Sequence, residues 1–349
     1  MSWTNKLLIW YSINRRSFPW RKTPYAYNVW LSEIILQQTK SSQGIPYYIK
    51  FIEKYPSIHD LAKANEKDVL KLWQGLGYYS RAINLLSTAK NISKNFNGIF
   101  PKEIDSLKKL KGIGDYTASA IASICFGTAS AVVDGNVYRV ISRFFGIETP
   151  INSSTAYSEF KSKARLLMGN SSPSDFNQAI MEFGAIQCTP KKPNCNKCIF
   201  NIDCFAFNNG KTKMLPAKFS KNPIKSRYFN FLIFKNKKGE TILEQRKKKD
   251  IWHKLYQFPL IESNGAFNID QFKFEECIIK LGERNLKTIK LLNKKKIKHR
   301  LSHQILYISF WEVKVKSLPE DRIVVKNLKN YPVPVVLEKF FDSNVTFES

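Results

Sequence analysis

At 349 residues and 43% hydrophobic content, the chain is long enough to bury a core in two or three domains, which excludes a disordered tail. Its 56 Lys and Arg against 28 Asp and Glu give a formal net charge of +28, an excess that makes attraction to a polyanion such as nucleic acid the first expectation. No run of 18 apolar residues occurs, and Met1 to Trp10 lacks the charged-then-apolar pattern of a signal peptide. The expected setting is therefore the cytosol, without a membrane partner.

From Leu7 to about Cys204 apolar residues recur at helical spacing, interrupted by turns at Gly75 to Gly77, Gly98, Gly112 to Gly114 and Gly135, so this part is predicted to be all-helical. Within Trp30 to Thr39, helical spacing places Trp30, Glu33 and Gln37 on one face. A carboxylate among a Trp and aliphatic neighbours is expected to be partly desolvated, which raises its pKa and suits a proton donor. The plainer alternative is an amphipathic helix with one solvated Glu. Gly75-Leu76-Gly77-Tyr78-Tyr79 reads as a turn carrying two aromatics able to wedge into a base stack, with Tyr79 also suited to a core.

Leu110-Lys111-Gly112-Ile113-Gly114 lies between one helical stretch and a second, small-residue helix from Asp115 to about Ile124. Glycines without Cβ atoms let backbone N–H groups and the following helix N-terminus approach a phosphate, which holds a DNA backbone without reading sequence. Lys108, Lys109 and Lys111 suit phosphate contacts beside it. Asp134, after Ala131-Val132-Val133 and before Gly135-Asn136-Val137-Tyr138-Arg139, fits the N-cap of the next helix.

Cys188, Cys195, Cys198 and Cys204 follow with spacing C-x6-C-x2-C-x5-C in a 17-residue window. Thiolates this dense can close a four-coordinate site around zinc or an iron–sulfur cluster, and reduced thiols in the cytosol favour metal ligation over disulfides. Lys191, Lys192 and Lys197 on the intervening loops are placed to meet phosphates if that loop faces DNA, with solvated surface lysines as the plainer alternative. Cys125 and Cys277 are isolated and read as core residues. Residues 208–227, rich in Lys, Asn, Pro and Ser, read as a linker. Beyond it, Phe229 to Phe234, Lys235 to Gly239 and Glu240 to Arg246 read as strand, turn, strand, and Leu301 to Val315 as another strand, giving a smaller α+β domain. Glu262 to Lys298 has no clear pattern.

Taken together, these segments resemble the MutY adenine DNA glycosylases of the helix-hairpin-helix superfamily that also contains endonuclease III. The resemblance runs over nearly the whole chain. It rests on Phe18-Pro19-Trp20-Arg21, the run from Trp30 to Thr39, Gly75 to Tyr79, Gly112 to Ala118, Asp134 to Val137, Phe176-Asn177-Gln178-Ala179 and the four cysteines. It implies an all-α helix-hairpin-helix glycosylase core (1–207, hairpin at about 107–124, iron–sulfur loop at 188–204) and a C-terminal α+β Nudix-like domain (228–349). It further implies a [4Fe-4S] cluster on Cys188, Cys195, Cys198 and Cys204. The implied partner is duplex DNA with adenine opposite 8-oxoguanine or guanine, bound by a monomer at the nucleoid.

The same resemblance assigns Glu33 as the catalytic acid and Asp134, beside Asn136, as the stabiliser of the sugar cation. Trp20, Arg21 and Leu36 are expected to line the base pocket with Tyr116 and Gln178 near the base. Gln38 and Tyr78 fill the disturbed stack, and Gly112 and Gly114 meet the backbone. Tyr116 stands where the bifunctional relatives carry a Lys nucleophile; a phenol forms no Schiff base, so strand cleavage is expected to be absent or slow. In the second domain Trp252, Tyr256-Gln257-Phe258-Pro259 and Arg300-Leu301-Ser302-His303-Gln304 match the family's lesion-reading segments, with Ser302 and His303 as donors. Leu301 replaces the usual aromatic, Lys111 the more frequent Pro. The Nudix hydrolase signature is missing, so this domain is expected to bind rather than hydrolyse.

Overall fold

A computed structural model of the chain describes residues 1–22, 24–220, 223–265, 286–293, 295–319 and 321–344. Cys277 and most of the unpatterned stretch from Glu262 to Lys298 lie outside the described residues. The chain forms two compact units, Met1–Ala64 with Ile83–Lys221, and Asn65–Ala82 with Asn222–Ser349.

Up to Asn208 the described secondary structure is helical, as the periodicity predicts. The helices are α1 (Trp3–Asn14), α2 (Ala26–Leu36), α3 (Ser41–Lys54), α4 (Ile58–Lys63), α5 (Glu66–Leu72), α6 (Ser80–Asn95), α7 (Ile104–Lys108), α8 (Asp115–Phe126), α9 (Gly135–Phe145), α10 (Ala156–Met168), α11 (Pro173–Ile186) and α12 (Phe205–Asn208), with a 3-10 turn at Pro19–Arg21. Their boundaries follow local chemistry. Ser57 and Asp60 form a capping box on α4, and Pro173 opens α11 behind the Ser172 cap, where a missing N–H costs nothing. Gly127 and Gly146 end α8 and α9 in the left-handed conformation that glycine adopts without a Cβ clash.

One core in the first unit joins α1, α8, α9, α10 and α11 through Leu7, Val137, Ile141, Phe160, Phe176, Ile180 and their neighbours. Residues 130–133, which lead into Asp134, are fixed by the fully buried Asn177 on α11. Its Oδ1 accepts from Val132 N at 3.0 Å, and its Nδ2 donates to Ser130 O and Ser123 Oγ, each at 2.8 Å. Such a buried amide is stable only when its partners are supplied.

The stretch predicted as a linker is not loose where it is described. Leu215 is buried, Arg143 Nε donates to its carbonyl at 3.0 Å, and Ile151 N donates to Ala217 O at 3.0 Å. Its C-terminal end already belongs to strand β1 (Lys225–Lys235).

The second unit carries β1, β2 (Thr241–Gln245), β3 (Tyr256–Gln257), β4 (Leu260–Ser263), β5 (Leu286–Leu291), β6 (Ile297–Arg300), β7 (Gln304–Val315), β8 (Ile323–Val325) and the helix α13 (Val335–Asn344). Strand, turn, strand is found at 225–245, yet the two strands enter different sheets. β1 lies between β4 and β7, parallel to β7 with Lys225 opposite Gln304, while β2 pairs with β3 and β8. Phe229 to Phe234 show no clean polar–apolar alternation, because all six are buried in a central strand. Phe310, beside Phe231, stacks on Phe340 of α13 with ring centroids 3.7 Å apart. No helix among the described residues is long and apolar enough to cross a membrane.

Candidate active site and cluster loop

A cavity of about 520 Å³ in the first unit is lined by residues that include Tyr11, Arg16, Phe18, Trp20, Arg21, Glu33, Gln178 and Met181. They come from α1, the turn after it, α2 and α11. Glu33 is half-buried on α2, whose other side chains are mostly core. Burial raises its carboxyl to about 7; a hydrogen bond from Tyr116 and the charge of Arg21 oppose the rise, and the charge of Asp134 adds to it. The Tyr116 hydroxyl is also 3.3 Å from the Met181 sulfur. Gln178 accepts from Tyr11 OH at 3.5 Å and donates to Ser174 Oγ at 3.1 Å.

Asp134 is the N-cap of α9 and does not line the cavity, but its charge acts on Glu33. Its Oδ1 accepts from Asn136 N at 2.9 Å and Val137 N at 2.8 Å, and its Oδ2 from Asn136 Nδ2 at 2.7 Å. These donors favour the ionised form, but burial outweighs them and places the carboxyl above its ordinary value. Asn136 Oδ1 accepts in turn from Arg139 Nη2 at 2.7 Å, and Arg139 Nε donates to Cys188 O at 2.6 Å. A continuous run of hydrogen bonds thus joins the Asp134 carboxylate to the backbone of the first clustered cysteine.

The four cysteines line one recess together with Arg143. Arg143 Nη1 lies 3.5 Å from Cys188 Sγ and donates to Thr189 O at 2.7 Å, and Phe200 N points at Cys198 Sγ from 3.5 Å. N–H and guanidinium groups directed at sulfur suit thiolates that carry charge. Among the described residues no three His, Cys, Asp or Glu side chains converge as a single metal ion requires. Cys125 is apart from this group, half-buried on α8, its thiol pushed up to about 12 by burial and by Glu33.

The glycine turn is built as its sequence predicts. Gly112 has φ +81, which a side chain rarely adopts, and Gly114 is the N-cap of α8 without a capping side chain. The first N–H groups of α8 therefore have no side-chain acceptor of their own cap, the arrangement that receives a phosphate. Lys108 pairs with Asp115 at 2.7 Å. Leu36 faces Gly44 on α3, where a Cβ would meet its Cδ2 at 2.7 Å, and it is not among the residues lining the cavity. Gln38 follows α2 exposed, with φ +56.

In the second unit a pocket of about 670 Å³ is lined by Leu76 to Ser80, Lys249 to His253 and Arg300 to Gln304. The Tyr78 hydroxyl is hydrogen-bonded to Ser302 Oγ. Ser302 and His303 are exposed in the tight turn joining β6 to β7, closed by Leu301 N donating to Gln304 O at 2.9 Å. Tyr79 is buried and its hydroxyl accepts from Gly75 N at 3.2 Å, so of the two aromatics only Tyr78 projects.

Sequence reasoning did not single out Arg16, Glu182 or Arg139. Glu182 falls one helical turn after Gln178 and Arg139 three residues after Asn136, spacings that put each on the face of a residue already chosen.

A helical core with a glycine hairpin, a cavity holding a carboxylic acid poised near neutrality and a cysteine-lined loop defines a helix-hairpin-helix base-excision glycosylase. The profile of the HhH-GPD superfamily of base excision DNA repair proteins matches residues 31–165, and that of the NUDIX domain residues 230–343. The chain is 37% identical to the adenine DNA glycosylase of Buchnera aphidicola subsp. Baizongia pistaciae over 87% of this chain and 83% of the relative. It is 32% identical to that of subsp. Acyrthosiphon pisum over 96% of each. A thermostable thymine-DNA glycosylase aligns with 59% of this chain and 95% of its own, with TM-score 0.55 and 31% identity. The chain belongs to the adenine DNA glycosylase family.

Proposed function

We propose that the protein excises adenine opposite 8-oxoguanine or guanine in duplex DNA by hydrolysing the N-glycosidic bond and leaving an abasic site. The observation that carries this reading is Glu33, held near pKa 7 in a cavity of about 520 Å³ beside Tyr116, in a chain of this family. The glycosidic bond is inaccessible inside the stack, so adenine is extruded, at lower cost when mispaired. Protonated Glu33 donates to N7 of the base and makes it a better leaving group. Asp134, in its ionised form with three donors on its oxygens, stabilises the developing sugar cation. Glu33, having lost its proton, then takes one from the attacking water.

Trp20, Arg21 and Gln178 hold the base, while Gly112 and Gly114 with the α8 N-terminus hold the backbone. Gln38 and Tyr78 fill the stack, and Ser302 and His303 read the opposite 8-oxoguanine. Tyr116 supplies no amine, so the enzyme is monofunctional. Cys188, Cys195, Cys198 and Cys204, which line one recess, would hold a [4Fe-4S] cluster, whose bonds to the four thiolates would tie residues 188–204 into one loop. We infer that the protein acts as a monomer on nucleoid DNA in the cytoplasm.

A single-turnover reaction on an end-labelled duplex with adenine opposite 8-oxoguanine tests the reading. Strand breaks only after hot alkali are expected; breaks before alkali that borohydride traps would show an amine nucleophile, and no breaks in either half would remove the glycosylase activity.

A further inference from the structure

Glu182 is a carboxylate only 2% exposed, and such a group persists as an anion only where cations are built around it. It accepts from Arg16 N at 3.1 Å, Arg16 Nε at 2.5 Å, Arg16 Nη2 at 3.3 Å and Arg21 Nη2 at 2.9 Å. Burial alone would push its carboxyl up, but the Arg16 hydrogen bonds and the Arg21 charge outweigh it and hold the group below the ordinary carboxylate value.

Both guanidinium groups also lie over the single ring of Phe18, at 4.9 and 4.8 Å, and Phe18 stacks on Trp20 at 4.8 Å. Two permanently charged guanidiniums on one ring repel each other. Glu182, between them, is the anion that makes the arrangement stable. Arg16, Phe18, Trp20 and Arg21 all line the cavity that contains Glu33.

We propose that Glu182 is a positioning residue for base excision, locking the Arg16, Phe18 and Arg21 stack in place so that the Arg21 guanidinium is a fixed hydrogen-bond donor toward the acceptor nitrogens of the extruded adenine. This rests on the reading above, that the cavity receives adenine. Arg21 is held at two nitrogens, by Glu182 and by the Arg16 carbonyl at 2.8 Å, so its orientation is set before the base arrives. Pre-set orientation acts on the chemical step, because a shift of about 1 Å in a contacting group can cost about 100-fold in rate.

The test is a cycle of E182Q, R21Q and the double variant in the full chain, read by single-turnover excision of adenine opposite 8-oxoguanine and by duplex affinity. E182Q is expected to slow excision by about 10- to 100-fold with duplex affinity changed less than about twofold. The double variant should be no slower than R21Q, since Glu182 acts through Arg21. E182D, which keeps the charge, should recover part of the rate, and serves as the single variant should E182Q melt well below the wild type. Wild-type rates in E182Q, losses that add in the double variant, or equal losses of rate and affinity would overturn the proposal. A wild type that is inactive on this duplex would overturn the adenine reading and this inference together, a result distinct from failure of the inference alone.

Discussion

Asn136 donates its side-chain amide to Asp134 Oδ2 at 2.7 Å while its own carbonyl oxygen accepts from Arg139 at 2.7 Å. The amide is thereby fixed with its donor toward the carboxylate, since a flip would set two donors against each other. Asn136→Ala removes one of the contacts that lower the Asp134 pKa. The acid limb of the pH–rate profile, below which Asp134 is protonated, should then move to higher pH. The rate at the optimum should fall by about 10-fold or more, in keeping with the loss of a hydrogen bond to a charged group. An unmoved limb would remove Asp134 from that part of the profile.

Glu33 gives a dependence of opposite sense. Its folded carboxyl titrates at about 7, above its unfolded value, so excision should fall as pH rises through 7 and the donor is lost. The folded state binds the extra proton, so the stability this group contributes is present below the unfolded pKa and is lost as pH rises through about 7. Glu33→Gln should abolish excision and raise thermal stability above pH 7 by on the order of 2 kcal/mol, with little change near pH 4. Tyr116→Phe removes a hydrogen bond that lowers the Glu33 pKa, so the basic limb should shift upward in that variant. Melting and rate profiles across pH 4 to 9 measure both.

Gly184 tests the packing under Asn136. It is an interior residue of α11 with no unusual φ, where alanine ordinarily stabilises a helix by about 0.5–1 kcal/mol. Here a Cβ would come within 2.6 Å of Asn136 Cβ and 3.0 Å of its backbone. Gly184→Ala should therefore lower stability, by about 1–3 kcal/mol as overpacking does, and slow excision by displacing Asn136. A variant more stable than the wild type and fully active would show that α9 and α11 can part without cost.

The helical half was legible because its signals are local: apolar spacing, glycine turns and caps lie within a few residues of each other. Glu33 could be placed on a helix and its desolvation anticipated from Trp30 and the aliphatic neighbours, and Asp134 could be read as an N-cap. The partners that tune these groups come from distant segments, and no local pattern pairs Glu182 with Arg16 and Arg21, or Arg139 with the Cys188 carbonyl. The same limit applies to β1 and β2. A strand, a turn and a strand are local features, but the parallel pairing of β1 with β7, which begins 79 residues later in register at Lys225 and Gln304, is not.

The Tyr78 hydroxyl and Ser302 Oγ are hydrogen-bonded at the edge of the second unit's pocket. Tyr78 is 38% exposed with φ +47, a backbone conformation that a bulky residue adopts at a cost of order 1 kcal/mol or more. Held this way, the ring projects from the turn while the burial of Tyr79 anchors it. If the pair serves recognition of 8-oxoguanine, Tyr78→Phe and Ser302→Ala should each reduce the preference for adenine opposite 8-oxoguanine over adenine opposite guanine, by about 10-fold or less. The two losses should not add, because each variant breaks the same hydrogen bond. Excision rates on the two duplexes, taken for both single variants and the double, decide the matter. Equal slowing on both duplexes would assign the pair to folding of the turn, and additive losses would mean that each hydroxyl meets the DNA separately.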